Sequence, residues 1–367
     1  MVSVLIPTVN PNKRLKDLVA ELLKSDSNEF EVVINLNSPG SVFSHKPDDR
    51  LKIFAEPTRL DVAENWTSAF NHSKGSYVWL IGDDDFILVE QLNEMIARLK
   101  TISSDCVTFN GWSYIFPSEL TNGQALSRNR HVRFHKSLLG KLTSNQKITI
   151  IKNMYRFVPQ IPLNMQLTIF TRTAFKRAGG KFKMPFPDHI ALMELLAANE
   201  EWEVIDDRFC IVGMAPSSFG NSAYSKRDDV GGKYLGLTPA TIELPSGNIL
   251  NSVMFNWLRT LSSTNVKLSR FQPNIGDFTL RQIGFNFRLW RSNEISKIDF
   301  FRALKNMHYK DVLRAIFSGL KYRNIKLAVG ILQRKPGPET IIGTKFEVVD
   351  FKDIKNYAES IRKKDFS

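Results

Sequence analysis

The sequence is poor in the features that would classify it quickly. It has two cysteines, Cys106 and Cys210, too few for a disulfide framework, and their apolar surroundings (DCVTF, RFCIV) predict buried strand positions in a reducing compartment. No uncharged apolar run approaches the roughly 18–20 residues that a membrane-spanning helix needs. VSVLIPT follows Met1 directly, with no basic segment, apolar core or cleavage site of an export signal, so the expected location is cytoplasmic. There is no Gly-x-Gly-x-x-Gly after the first apolar run, no Gly-Lys-Ser/Thr phosphate loop, no His-Glu-x-x-His and no nucleophile-elbow serine, which excludes dehydrogenase, P-loop and zinc-protease chemistry. The six histidines show no metal-ligand spacing. Internal repeats, heptads and low-complexity tracts are absent too.

What remains is a chain of 367 residues, 43% hydrophobic, long enough for one large domain with an appendage or two medium ones. Its formal charge of +13 is uneven: residues 251–367 hold 22 Lys and Arg against 10 Asp and Glu, leaving the front of the chain close to neutral. A cationic C-terminal third suits an anionic partner such as lipid head groups. Nucleic acid is disfavoured, because no reading motif accompanies the charge.

Hydrophobic periodicity supplies the architecture. Val2–Ile6 is an apolar run ended by Pro7, and Leu15, Leu18, Val19, Leu22 and Leu23 follow at helical spacing. Phe30–Leu36 and Leu51–Ala55 read as strands, the first closed by the turn cluster Asn37-Ser38-Pro39-Gly40. Asp61 and Glu64 form a capping-box signature ahead of the stripe Val62, Trp66, Ala69 and Phe70. Tyr77–Ile81 reads as a strand, and Leu88, Leu92, Met95, Ile96 and Leu99 mark the next helix. The aromatics Trp66 and Trp79 fall at packing positions. This alternation predicts an α/β fold, a mostly parallel sheet covered by helices, with ligands bound beyond the carboxyl ends of its strands. After Cys106 the pattern loosens, and 117–134 is polar and basic. Gln166–Phe170 reads as a strand, Ile190–Ala198 as a short helix, and 217–236 as a loop. Helical spacing returns over Val253–Leu261, Phe278–Trp290 and Val312–Leu332.

The most informative window is GSYVWLIGDDDF, residues 75–86, where an apolar strand runs into Asp83, Asp84 and Asp85. Three adjacent carboxylates repel one another. They become favourable together when a hard cation such as Mg²⁺ or Mn²⁺ arrives, which takes oxygen ligands from one or two carboxylates plus phosphates. Taken alone, the triplet reads first as an exposed acidic turn at a helix N-terminus, and it is the surroundings that reverse this.

Its surroundings resemble the family 2 glycosyltransferases of GT-A fold over roughly residues 2–215. VSVLIPTVN resembles that family's first strand and donor turn, and EVVINLNS stands where an acidic pair is usual. AENWTSAFNHSKGSYVWLIGDDD is similar to the asparagine-bearing helix followed by the DXD-type acids, and TAFKRAGGKFKMPFPDHIALMELL to the segment with the Glu-Asp motif. The resemblance implies a nucleotide-sugar donor, a UDP-sugar first among them, contacted by Thr8, Asn35, Arg59, Asn65, Asp83 and Asp84. It further implies Mn²⁺ or Mg²⁺ on Asp83 and Asp85, with Asp85 as the principal ligand. Asn35 and Leu36 replace the acidic pair, which leaves the base preference open. Lys226 and Arg227 are further candidates for the diphosphate.

Asp188 stands at the family's catalytic aspartate, with Pro187 in place of the preceding Glu. An inverting displacement needs a carboxylate there to take the proton of the attacking hydroxyl. Read from its neighbours alone, Asp188 is equally a helix N-cap, and His189 is a first-turn histidine or an acceptor contact. The expected organisation is a GT-A-like domain over 1–245, divided into a donor half (1–105) and an acceptor half (106–245), then a basic helical region over 246–367. The expected acceptor is a glycan or lipid-linked saccharide, with peripheral contact to an anionic membrane; the oligomeric state stays open. A nucleotide-binding relative that has lost transfer, and a nucleotidyltransferase on a related sheet, are the competing readings.

Overall fold

The computed structural model describes residues 1–9, 11–115, 130–132, 138–157, 163–198, 200–214, 249–291, 293, 295–320 and 353–365. The expected loop at 217–236, with Lys226 and Arg227, and the boundary near 245 lie outside these residues, as does the part of the expected Val312–Leu332 segment beyond residue 320.

The first half alternates as its periodicity predicts: β1 (Val2–Thr8), α1 (Lys13–Leu22), β2 (Phe30–Leu36), β3 (Leu51–Ala55), α2 (Val62–His72), β4 (Tyr77–Leu80) and α3 (Val89–Leu99). Every residue of β2 is buried, as expected of a strand covered on both faces, whereas β3 is an edge strand with exposed positions. The Asp61–Glu64 box forms as read: Glu64 N–H donates to Asp61 Oδ1 at 2.7 Å and Asp61 N–H to Glu64 Oε2 at 3.2 Å. The second half adds β5 (Cys106–Ile115), β6 (Arg130–Val132), β7 (Gly140–Lys141), α4 (Ser144–Met154), β8 (Thr168–Thr171), α5 (Arg172–Arg177), α6 (Pro187–Ala197) and β9 (Trp202–Met214). The looser stretch after Cys106 therefore holds a ten-residue strand and, in α4, a helix opened by a Thr143–Gln146 capping box.

All nine strands join one sheet in the order β3-β2-β1-β4-β8-β5-β9-β7, with β6 paired to β5 off this path. β1–β5 and β9 run in one direction, and β6, β7 and β8 run against them. The crossover from β1 to β2 runs opposite to that from β3 to β4. Right-handed connections therefore put α1 and α2 on opposite faces. Phe70 of α2 packs on Phe175 of α5, and Trp66 on Phe182, extending the α2 side. Trp79, fully buried in β4, packs edge-on against Phe109 and donates its indole N–H to Gln166 O at 2.9 Å. Cys106 and Cys210 are buried and free.

Beyond residue 248 come α7 (Ile249–Thr264), α8 (Ile275–Arg291), α9 (Lys297–Lys305), α10 (Tyr309–Gly319) and α11 (Ile354–Asp365). The last helix returns to the front of the chain. Its Tyr357, Ala358 and Ile361 are buried, Tyr357 stacks on Tyr114 of β5, and Arg362 pairs with Glu21 of α1 and, at 2.9 Å, Glu90 of α3. No helix among the described residues is long and apolar enough to cross a membrane.

Candidate active site

The carboxyl ends of β1 to β4 meet at one edge of the sheet, and the acidic turn sits there. Ile81 N–H donates to Leu5 O at 3.0 Å, which fixes where the turn begins. Phe86 fixes where it ends, exchanging two backbone hydrogen bonds of 2.9 and 2.8 Å with Ile211 of β9. Between these anchors each aspartate has its own environment. Asp85 points inward, 1% exposed, and accepts from Gly82 N–H at 2.6 Å and Gly213 N–H at 2.8 Å. Burial, then the charge of Asp84, pushes its carboxyl well above the usual range, against the pull of the two backbone donors. Asp83 is half-buried and accepts from the Thr8 hydroxyl at 2.5 Å. Burial raises its pKa; the Thr8 bond and the charge of Arg14 oppose the shift, while Asp84 reinforces it. Asp84 is half-buried at the rim. Its backbone is so close to β9 that a Cβ on Gly213 would lie 1.7 Å from Asp84 O.

Asn35 and Asn65 face each other inside the fold. The Asn35 amide donates to Asn65 Oδ1 at 2.7 Å and to Glu56 Oε1 at 2.8 Å, and its oxygen faces His72 Nδ1 at 3.1 Å. Ser68 also donates to Glu56, and His72 stacks on Phe54 with ring centroids 3.9 Å apart. The two asparagines thus fix Glu56 and His72 at the end of β3. Asn37 makes a reciprocal pair with the Leu60 backbone, at 2.9 and 2.7 Å, and so holds the loop on which exposed Arg59 sits.

Asp188 occupies the second position of α6, where Phe186 is the N-cap and makes no side-chain cap bond. The alternative reading of Asp188 as N-cap is corrected: Pro187 already fits the first helical turn, so the helix starts earlier than its apolar residues suggest. The half-buried Asp188 carboxylate has no partner among the described residues, and the neighbouring His189 Nδ1 is buried without one. The carboxyl end of α6 leads directly into β9, where Glu201 O binds Cys106 N–H at the start of β5. Eleven residues of helix span about 16 Å.

Sequence reasoning missed Arg14, in the first turn of α1, whose charge reaches Asp83, and it missed Glu56 and His72, each of which contacts Asn35. Arg14 follows the Thr8 turn closely enough to have been suspected; Glu56 had no local signal. A separate pocket of about 420 Å³, lined by Arg177, Lys183, Glu194 and Lys267 among others, opens near the start of β5, at the opposite edge of the sheet.

Residues 3–154 match the profile of Glycosyl transferase family 2. That segment, 152 of the 367 residues, is similar to the family 2 glycosyltransferases. The matched segment contains β1 to β4, Thr8 and all three aspartates, and the architecture around it is a mostly parallel sheet flanked by helices, with further helices beyond. Among solved structures, the chain is similar to S. aureus TarS 1-349 in complex with UDP-GlcNAc, at 18% identity and a TM-score of 0.44, covering 78% of this chain and 84% of that one. It is also similar to the mannosyltransferase PcManGT from Pyrobaculum calidifontis, in complex with GDP-Man and Mn²⁺, at 13% identity and a TM-score of 0.41, covering 91% and 87%. A comparison with curated protein sequences found no match.

Proposed function

We propose that this glycosyltransferase moves a sugar, with inversion, from a nucleoside-diphosphate donor to a hydroxyl of a glycan or lipid-linked saccharide. The observation that carries the reading is the division of labour in the acidic turn. Asp85 spends both oxygens on backbone N–H groups inside the fold, while Asp83 and Asp84 stay at the rim. The rim suits a hard divalent cation, because its donors are carboxylate oxygens whose crowding a positive charge relieves. Among the described residues no group of three or more His, Cys, Asp or Glu is placed to cage a metal. Mg²⁺ or Mn²⁺ here would take its other ligands from the diphosphate and water. Burial of Asp85 shifts the principal ligand role to Asp84, with Asp83 beside it, and leaves Asp85 to hold the turn. When bound, such an ion stabilises the charge of the departing diphosphate.

Thr8 orients Asp83 on the donor side, and Arg14 and Arg59 supply positive charge for the diphosphate. Asn35 and Asn65 act from beneath by fixing Glu56. A uridine diphosphate sugar is the first donor to test. Asp188 accepts the acceptor hydroxyl's proton as that oxygen attacks the anomeric carbon opposite the leaving group. The bond from that carbon to the diphosphate oxygen breaks, and the electron pair leaves with the nucleoside diphosphate. A lipid-linked acceptor at an anionic membrane suits the basic C-terminal third of the chain.

The test is donor hydrolysis or transfer with Mn²⁺ or Mg²⁺, together with thermal shift, since a ligand of the native state raises the melting point. Asp84→Asn abolishes the metal-dependent shift by the donor. Stabilisation of wild type and variant alike, with or without metal, would refute the assignment. Binding without turnover by any acceptor would favour the non-transferring relative, a reading that rests on Pro187 ahead of Asp188 and on the internal use of Asn35.

A further inference from the structure

α10 is amphipathic in an unusual sense, because its most apolar side faces water. Tyr309, Leu313, Ile316, Phe317 and Leu320 at its end are 50–71% exposed. At 100° per residue they fall within an arc of about 100°. Ala315 and Ser318, on the opposite side, are buried, and the helix packs on α8 through that side. On α9, which also packs on α8, Ile298 and Phe301 are 69% and 52% exposed. Scattered surface hydrophobics are ordinary, but five on one helical stripe with two more on the next helix mark an interaction surface.

Charge selects the partner. Lys297, Lys305 and Lys310 are exposed and have no ion pair among the described residues. Among the described residues, Arg302 and Arg314 pair only with Asp299 and Asp311 of their own helices. Across residues 297–335 the sequence has ten Lys and Arg against two Asp, and none of the residues 321–335 that follow α10 is acidic. A second copy of the chain on this face would bring like charge against like. A bilayer with anionic head groups answers both features, apolar side chains entering below the head groups and cations lying among them.

We infer that the outer face of α10, with Ile298 and Phe301 of α9, docks the protein on an anionic lipid bilayer. This deepens the reading of a lipid-linked acceptor and rests on it only for what the docking would serve, because docking itself is measured without donor, metal or turnover.

The experiment is flotation of the full chain with vesicles of phosphatidylcholine alone and with added phosphatidylglycerol. The chain floats with the anionic vesicles, and raised salt weakens its binding. Ile316→Glu combined with Phe317→Glu lowers partitioning by at least about tenfold, since burying one such side chain is worth that much. Both positions are exposed, so the melting point and the donor-induced thermal shift stay at wild-type values. Lys310→Glu weakens binding to anionic vesicles only. The inference falls if wild type ignores anionic vesicles or if the double variant floats as well as wild type. It falls equally if light scattering shows a dimer that the double variant splits while vesicle binding is nil. A chain that docks but never turns over a donor would overturn the activity and leave this surface standing.

Discussion

Gly213→Ala tests the placement of the acidic turn without altering any of its carboxylates. The added Cβ would lie 1.7 Å from Asp84 O and 2.6 Å from Asp84 C, and the contact must open by at least 1.3 Å to reach 3.0 Å. Both atoms belong to backbone, so no rotamer change relieves the clash. Neither side slides easily, because Phe86 and Ile211 exchange two hydrogen bonds next to it and Gly213 N–H holds Asp85. The turn must therefore lift off β9, carrying Asp84 with it. Overpacking of this kind costs about 1–3 kcal/mol, which lowers the melting point without unfolding the chain. The effect on chemistry is larger, since misplacing a reacting constellation by about 1 Å costs on the order of 10²-fold. The assay is donor turnover at saturating Mn²⁺ beside denaturant unfolding. Gly284→Ala in α8 is the control: nothing lies within 4 Å of a Cβ at that position, and a helix interior gains about 0.5–1 kcal/mol from the change. Wild-type turnover in Gly213→Ala would refute the reasoning, for it would mean that the position of Asp84 does not matter.

Three further outcomes are expected. Asp188→Asn lowers transfer by about 10²–10⁴-fold, as loss of a general base does, with unchanged stability because its carboxylate has no partner among the described residues to lose. Arg362→Ala strips a cation from Glu21, which is 2% exposed but keeps Lys24 at 2.6 Å, and lowers unfolding free energy by about 1–3 kcal/mol in urea titration. The Arg50 guanidinium beside Asp48 lowers that carboxyl from 3.8 to about 2, so the pair's stabilisation is present above pH 3.8 and is lost as pH falls toward 2. Asp48→Asn accordingly loses about 1–2 kcal/mol near neutrality, after discounting for solvent, and converges on wild type in acid.

What was legible in the sequence was what is encoded locally. β2 and β3 coincide with their apolar runs, and the Asp61–Glu64 box declares itself within four residues. α4 carried a comparable signal in Thr143 and Gln146, masked because only four of its eleven positions are buried. What was not legible depends on partners far along the chain. Glu21 meets Arg362 across 341 residues, and Asp85 meets Gly213 across 128. No periodicity operates inside a turn of three identical residues, so nothing local reveals which aspartate points inward. Asn35 could be aligned with a donor-contacting position, but its use in holding Glu56 and His72 depends on the end of β3 and on α2.

The same long-range contacts explain how the chain tolerates three adjacent acids. If all three faced solvent, the turn would gain nothing from β9, and water would screen the repulsion at no structural expense. Instead one is drawn into the fold, where Gly82 and Gly213 give it two donors, a second leans on Thr8 within the field of Arg14, and the third is held at the rim by close backbone packing. Burial and the charge of Asp84 both disfavour the ionised form of Asp85, so the turn lessens its own repulsion and leaves its negative charge with Asp83 and Asp84 at the rim. An apolar residue at position 85 would strand the Gly82 and Gly213 N–H groups, and an asparagine could accept from only one of them. Asp85→Asn should for that reason loosen the turn from β9, lowering unfolding free energy by about 1–3 kcal/mol in urea titration and weakening metal-dependent donor binding along with the fold, because Asp84 is carried by the same turn.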